Sequence, residues 1–215
     1  LRVVTRQLVE CAAVGSEGTA EQHAEWTIEW RIPGESSEPM MSTVKLGRFE
    51  QSSAPKSLFS DCTESVLGSC RSFQDQLLLG ATYWLPRIQD TRQMIMLGTP
   101  GTALGDINGD GLDDLYLCQA GGLPNRLFLQ NPDGTLRDAT VESGTGWVES
   151  SRSALLVDLD NDGDQDLAVT TYGRLVLANN DGTGRFEVAA ILETGIGAMG
   201  VSAADYDGDG DLDLY

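Results

Sequence analysis

Asp158-Leu159-Asp160-Asn161-Asp162-Gly163-Asp164-Gln165-Asp166 places oxygen-bearing side chains at positions 1, 3, 5 and 9 of a nine-residue stretch and a glycine at position 6. The same template occurs twice more, as Asp106-Ile107-Asn108-Gly109-Asp110-Gly111-Leu112-Asp113-Asp114 and as Asp205-Tyr206-Asp207-Gly208-Asp209-Gly210-Asp211-Leu212-Asp213. Carboxylates this close repel one another unless a positive charge sits among them. A hard cation taking about six to eight oxygen ligands answers that need, and Ca²⁺ fits better than Mg²⁺, which keeps its waters. The glycine supplies the positive φ that folds the chain back around an ion. For a single copy a solvated acidic turn would serve as well, since Asp and Gly are common turn residues. Three copies on one template favour the ion.

The sequence thus nominates three Ca²⁺ sites. Their side-chain ligands are Asp106, Asn108, Asp110 and Asp114 in the first loop, Asp158, Asp160, Asp162 and Asp166 in the second, and Asp205, Asp207, Asp209 and Asp213 in the third. Position 7 gives a backbone carbonyl, so Leu112 serves there as well as Asp164 or Asp211. A helix-loop-helix calcium site would end in a bidentate Glu at position 12. Leu117 and Val169 stand there instead, and dockerin-like repeats fail on the same count. Short runs rich in Leu, Val and Tyr flank the loops: Ala103-Leu104 and Leu115 to Cys118, Ala154 to Val157 and Leu167 to Thr170, Val201 to Ala204 and Leu214-Tyr215. Such runs, bounded by Gly and Asp, read as strands. Each loop joins two strands of a hairpin.

A second hairpin follows each loop and its outgoing strand. Pro124 to Gln130 turns at Asn131-Pro132-Asp133-Gly134, and Arg174 to Ala178 turns at Asn179-Asn180-Asp181-Gly182; Asn/Asp-Gly between apolar runs is a strong hairpin signal. The unit is then strand, acidic loop, strand, strand, turn, strand. Loops starting at 106, 158 and 205 are 52 and 47 residues apart. Four strands at a period near fifty mark a propeller blade.

Gly105 to Leu117, Val157 to Val169 and Ala204 to Leu214, with the Asn-x-Asp-Gly turns between them, resemble FG-GAP/VCBS-type repeats. The run Gly121-Gly122-Leu123-Pro124-Asn125-Arg126-Leu127-Phe128 is similar to the ASPIC/UnbV, cartilage acidic protein-like branch. That resemblance implies an extracellular propeller like those of integrin α subunits, acting in adhesion or recognition, with calcium ligands at positions 1, 3, 5, 7 and 9 of each loop. It covers roughly 98–215. The Phe-Gly and Gly-Ala-Pro signatures that name the repeat are largely absent, and Asn108 replaces Asp at position 3 of the first loop.

The expected fold is mainly β: a partial β-propeller of about two and a half FG-GAP/VCBS-type blades, preceded by a small α+β segment. The divisions are a β-rich segment at 1–58, a helical connector at 59–97 and the repeats at 98–215, with blades near 98–148, 149–197 and 198–215, the last truncated. Propellers need several blades to close, so the remaining blades are expected from the rest of the polypeptide or from other subunits. In the first segment Trp26, Ile28, Trp30 and Ile32 alternate with Thr27, Glu29 and Arg31, the period of a half-buried strand. Met41 to Phe49 is a second strand, Gln51 to Lys56 a polar linker, and Arg2 to Ala13 either a strand or a short helix. Leu58 to Leu67 reads as a helix capped by Ser60 or Asp61. Ser72 opens a longer helix whose apolar residues Phe73, Leu77, Leu78, Ala81, Trp84 and Leu85 share a face up to Pro86. Met94 to Leu97 is a short strand.

Net charge is −19; residues 1–100 hold 12 acids and 9 bases, whereas 101–215 hold 21 acids and 5 bases. This surface argues against direct binding of nucleic acid or anionic lipid, and no stretch reaches the length of a membrane span. Four cysteines, Cys11, Cys62, Cys70 and Cys118, allow free thiols or one or two disulfides. No Cys-x-x-Cys occurs and His23 is the only histidine, which disfavours zinc. Nearly all paired carboxylates belong to the calcium template, and no Gly-x-Ser-x-Gly or phosphate-cradling Gly-rich loop occurs. No catalytic residues are nominated, so binding is favoured over catalysis. The expected function is a calcium-binding extracellular or cell-surface propeller module for macromolecular recognition or adhesion, with a protein or glycan partner on its loop face; the periplasm is the other compartment. The alternative is the propeller scaffold of a secreted carbohydrate-active enzyme, a lyase or hydrolase.

Overall fold

A computed structural model describes residues 1–15, 18–33, 38–55, 59–88 and 100–215. Among the described residues strand accounts for 48% and helix for 10%, which makes the fold mainly β. The chain divides into two compact units, Leu1–Asp61 and Cys62–Tyr215.

In the first unit β1 (Arg2–Gly15), β2 (Gly18–Arg31) and β3 (Met40–Ala54) form an antiparallel sheet with β2 in the middle. Arg2 to Ala13 is thus a strand. The register pairs Thr5 with Ile28 and Ile28 with Val44, and Gln7 with Trp26 and Trp26 with Leu46, so these side chains share one face. Trp30 Nε1 donates to Thr5 Oγ1 on that face at 2.8 Å. The opposite face carries the charges, in ion pairs Arg6–Glu25 at 3.0 Å and Arg2–Glu29 at 2.6 Å. Gln51 to Ala54, read from sequence as linker, continues β3: Gln51 stays in register with Gln22 and its Oε1 accepts Gln22 Nε2 at 2.9 Å. Backbone pairing with a long β2 outweighs the polar composition there.

The second unit opens with short helical pieces: α1 (Thr63–Leu67), a single π-helical turn at Phe73–Leu77, and α2 (Ala81–Trp84). The expected helix from Ser72 to Leu85 is broken because Gly80 is extended, with φ −74° and ψ 176°. Residue 62, rather than Ser60 or Asp61, takes the N-cap of α1. The expected strand at Met94–Leu97 lies outside the described residues.

Two four-stranded antiparallel meanders follow: β4 (Thr102–Gly105), β5 (Asp114–Leu117), β6 (Arg126–Gln130) and β7 (Leu136–Asp138), then β8 (Ser151–Val157), β9 (Asp166–Thr171), β10 (Gly173–Asn180) and β11 (Phe186–Gly195). A short helix, α3 (Thr140–Ser143), links them. β12 (Ala203–Ala204) and β13 (Asp213–Leu214) begin a third repeat. These sheets are the blades of an open, partial propeller; they close no barrel among the described residues.

The two-residue period of the strands divides blade 1 between two cores. Tyr116, Cys118, Leu127 and Leu129 pack with Leu156, Leu167 and Val169 of blade 2. Phe128, Leu136 and the half-buried Leu115 and Leu117 point the other way, onto Leu67, Cys70 and Phe73 of the helical pieces. Central strands buried on both faces read as unbroken apolar runs, as Leu127-Phe128-Leu129 does. The helical pieces act as the cover of blade 1.

Candidate metal centre

One hydrogen-bond frame builds all three acidic loops. At position 1 the Asp106 carboxylate accepts the Asp110 N–H at 3.0 Å on one oxygen and the Gly111 N–H at 2.9 Å on the other. Asp158 and Asp205 accept the same two amides of their own loops. At position 5, Asp110, Asp162 and Asp209 each accept the N–H of position 7. Asn108 and Asp207, at position 3, accept the N–H of position 5. Amides drawn inward by position 1 wind the backbone into a tight ring. That ring requires left-handed backbone twice: at position 6 (Gly111, Gly163 and Gly210, φ 84°, 98° and 97°) and at position 4 (Gly109, Asn161 and Gly208, φ 70°, 60° and 75°). The second requirement was readable in principle, because Gly and Asn are the residues that adopt this conformation most readily.

Position 9 does something the template alone does not announce. Asp114 and Asp166 are fully buried. Each holds its own loop closed through Oδ2, which accepts the position-2 amide of Ile107 at 3.0 Å or Leu159 at 2.8 Å. Their Oδ1 atoms accept amides at the end of the third strand, Gln130 and Asn180, both at 2.8 Å. Asp213 repeats the first contact, to Tyr206 N–H at 3.0 Å. These aspartates anchor the loop to its blade.

In loop 2, carboxylate oxygens of Asp158, Asp160 and Asp166 lie within 4.8 Å of one another; in loop 3, those of Asp205, Asp207 and Asp209 do. Loop 1, with Asn108 at position 3, gathers no such trio of carboxylates among the described residues. Burial pushes the Asp114 carboxyl above its ordinary range and the charges of Asp110 and Asp106 add to this, against the pull of the Gln130 and Ile107 amides. Desolvation and the charges of Asp166, Asp162 and Asp158 do the same to Asp160. Like charges crowded this way favour a cation in their midst. The donors are all oxygen, which suits a hard ion. No cysteine joins either cluster among the described residues, and burial holds the Cys118 thiol up at about 12.

Two other polar residues tie the blades together. Asn125 is fully buried; its Nδ2 donates to Tyr116 Oη at 2.9 Å and to Ser151 Oγ of β8 at 2.8 Å, while Oδ1 accepts Gln119 N–H at 2.8 Å. Asn180 reaches from blade 2 to Ile107 O in loop 1. Sequence reading placed Asn125 only within a resembling run and Asn180 only in a turn. The one available signal was a polar residue set hard against a buried strand.

Residues 106–169 and 158–215 each match the FG-GAP-like repeat family, and together they cover just over half of the chain. The chain belongs to the FG-GAP-like repeat family. The FG-GAP matches begin at the first aspartate of loops 1 and 2. No curated protein matches the chain. Among solved structures, an Agrocybe aegerita lectin described as specifically recognising non-reducing terminal N-acetylglucosamine is similar over 90% of this chain, at 17% identity and a TM-score of 0.33. That score is too low to establish a shared fold, and the alignment spans 38% of the lectin chain. Among the described residues no helix is long and apolar enough to cross a membrane.

Proposed function

We propose that these FG-GAP repeats form a calcium-stiffened recognition module. The observation that carries this is the recurrence of one hydrogen-bonded ring in three loops, with carboxylate oxygens drawn within 4.8 Å in two of them. Ca²⁺ would be held by Asp106, Asn108, Asp110 and Asp114, by Asp158, Asp160, Asp162 and Asp166, and by Asp205, Asp207, Asp209 and Asp213, with the carbonyls of Leu112, Asp164 and Asp211. Its chemistry there is structural: it neutralises the loop and stiffens the hairpin. The chain's own residues prepare the site, since position 1 holds the ring amides and position 9 fixes the loop to its blade. Calcium modules of the extracellular kind bind at about 10⁻⁴–10⁻³ M, so an extracellular, cell-surface or periplasmic setting keeps such loops loaded. The partner is a protein or glycan docking on the propeller, which needs further blades to close.

Calorimetric titration of the full chain with calcium chloride tests the metal reading. About three sites of sub-millimolar to millimolar affinity are expected, abolished loop by loop on replacing Asp106, Asp158 or Asp205 with Ala. Absence of binding at about 10 mM calcium would overturn it, since that lies well above the range of extracellular modules.

A further inference from the structure

Loops 1 and 2 belong to different blades, yet an unbroken hydrogen-bond path joins their anchoring aspartates. Asp166, position 9 of loop 2, accepts the Asn180 N–H at 2.8 Å. The Asn180 side chain then leaves its own blade: Nδ2 donates to Ile107 O at 2.7 Å and to Gln165 O at 3.0 Å, while Oδ1 accepts the Gly184 N–H at 3.1 Å. Ile107 is position 2 of loop 1, and its own N–H donates to Asp114 Oδ2 at 3.0 Å. Every member is sequestered, Asp166 and Asp114 at 0%, Ile107 at 1% and Asn180 at 5% exposure. Water cannot readily replace a lost partner there, and a stranded buried donor or acceptor is costly. The path is therefore constrained: a displacement of Asp166 is felt at the Ile107 peptide, which lies between positions 1 and 3 of loop 1. A second contact runs in parallel. Gly105, just before loop 1, leaves room for Gln165 of loop 2, for a Cβ at 105 would lie 2.1 Å from Gln165 Oε1.

We propose that Asn180 is a positioning residue that couples the divalent-cation affinities of loops 1 and 2, so that neighbouring repeats load cooperatively. This rests on the reading of the loops as calcium sites. An ion drawing Asp166 into place in loop 2 orders the Asn180 amide, which sets the Ile107 peptide and with it the ring of loop 1. By linkage, loading loop 1 favours loop 2 equally.

The test is hydrogen exchange of the 106–114 amides in the full chain, followed through a titration with calcium chloride. In the wild type, Asp162→Ala, which disables loop 2, should raise the calcium concentration that half-protects loop 1 by about 5- to 10-fold. In an Asn180→Ala background the same substitution should leave that midpoint unchanged. A merely structural Asn180 would lower overall stability but would not remove the dependence of loop 1 on Asp162. Should Asn180→Ala not fold, Asn180→Ser replaces it, its hydroxyl being too short to span to Ile107 O. A wild-type midpoint indifferent to Asp162→Ala, or one still responsive without the Asn180 amide, overturns the coupling while leaving the calcium reading intact. If calcium protects no loop in any variant, both fall.

Discussion

At the scale of single residues the position-9 aspartates set the terms. Asp166→Ala would strand the Leu159 and Asn180 amides, now held at 2.8 Å. At about 1–3 kcal/mol for a buried unsatisfied group, and less for the part-buried Leu159 amide, the Cys62–Tyr215 unit should lose about 2–4 kcal/mol in denaturant unfolding, with or without calcium. Loss confined to the calcium-loaded protein would mean that Asp166 is a ligand and nothing more. Asp114 gives a pH signature. Burial raises its carboxyl, so without metal the folded state favours the protonated form; its contribution is present at low pH and fades as pH rises through the raised value. A bound cation reverses the sign, because only the ionised carboxylate holds it. The unit contains no histidine, so carboxylates govern its response as pH falls from neutrality toward, but not into, their ordinary range. Acidification in that direction should therefore raise the melting temperature in EDTA and lower it in calcium. The same direction in both media would refute a cation at loop 1.

At the scale of elements the unobvious piece is the helical cover of blade 1. Phe73, 5% exposed, packs with Phe128 and Leu136, and Phe73→Ala should cost about 3–5 kcal/mol in chemical unfolding as a buried aromatic truncated to a cavity. A cost within experimental error would show the π-helical turn to be dispensable. Nothing in the spacing of Phe73, Leu77, Leu78, Ala81, Trp84 and Leu85 announced the break at Gly80, whose extended ψ ends the run; a helical period persists through a residue that does not obey it. The acidic loops were legible because each is written in nine contiguous residues, and their strands because Gly and Asp bound them. β2 was legible through Trp26, Ile28 and Trp30. β1 was not, since Val3-Val4 and Ala12-Ala13 blur the alternation, and β3 outran its apolar residues because pairing with β2 sustains it. Asn125 and Asn180 escaped notice for another reason: Ser151 and Ile107, their partners across the blades, lie 26 and 73 residues away, and no local pattern encodes that.

At the scale of the whole molecule charge is distributed unevenly. Of the 21 acids in residues 101–215, 14 lie in the three loops, against 5 bases in the whole stretch. In the Leu1–Asp61 unit, acids are met locally, as in Arg6–Glu25 and Arg2–Glu29. Metal-free repeats should thus be held back by mutual repulsion, which salt screens over about 10 Å at 0.1 M and about 3 Å at 1 M. Calcium bound as proposed would remove the same repulsion by neutralisation and add mass-action stabilisation, about 2.7 kcal/mol per site at a hundredfold excess over Kd. Salt and calcium should therefore substitute for one another. Raising sodium chloride from about 0.05 to about 0.5 M should increase the melting temperature of the repeats in EDTA and change it little in calcium. Hydrogen exchange resolved by segment should place both effects in Cys62–Tyr215, with β1 to β3 nearly indifferent. A salt response equally large with calcium bound would mean that the repulsion lies outside the loops. A metal-free protein insensitive to salt would mean that the carboxylates are already neutralised by protonation, and the acidic rings would then owe their shape to hydrogen bonds alone.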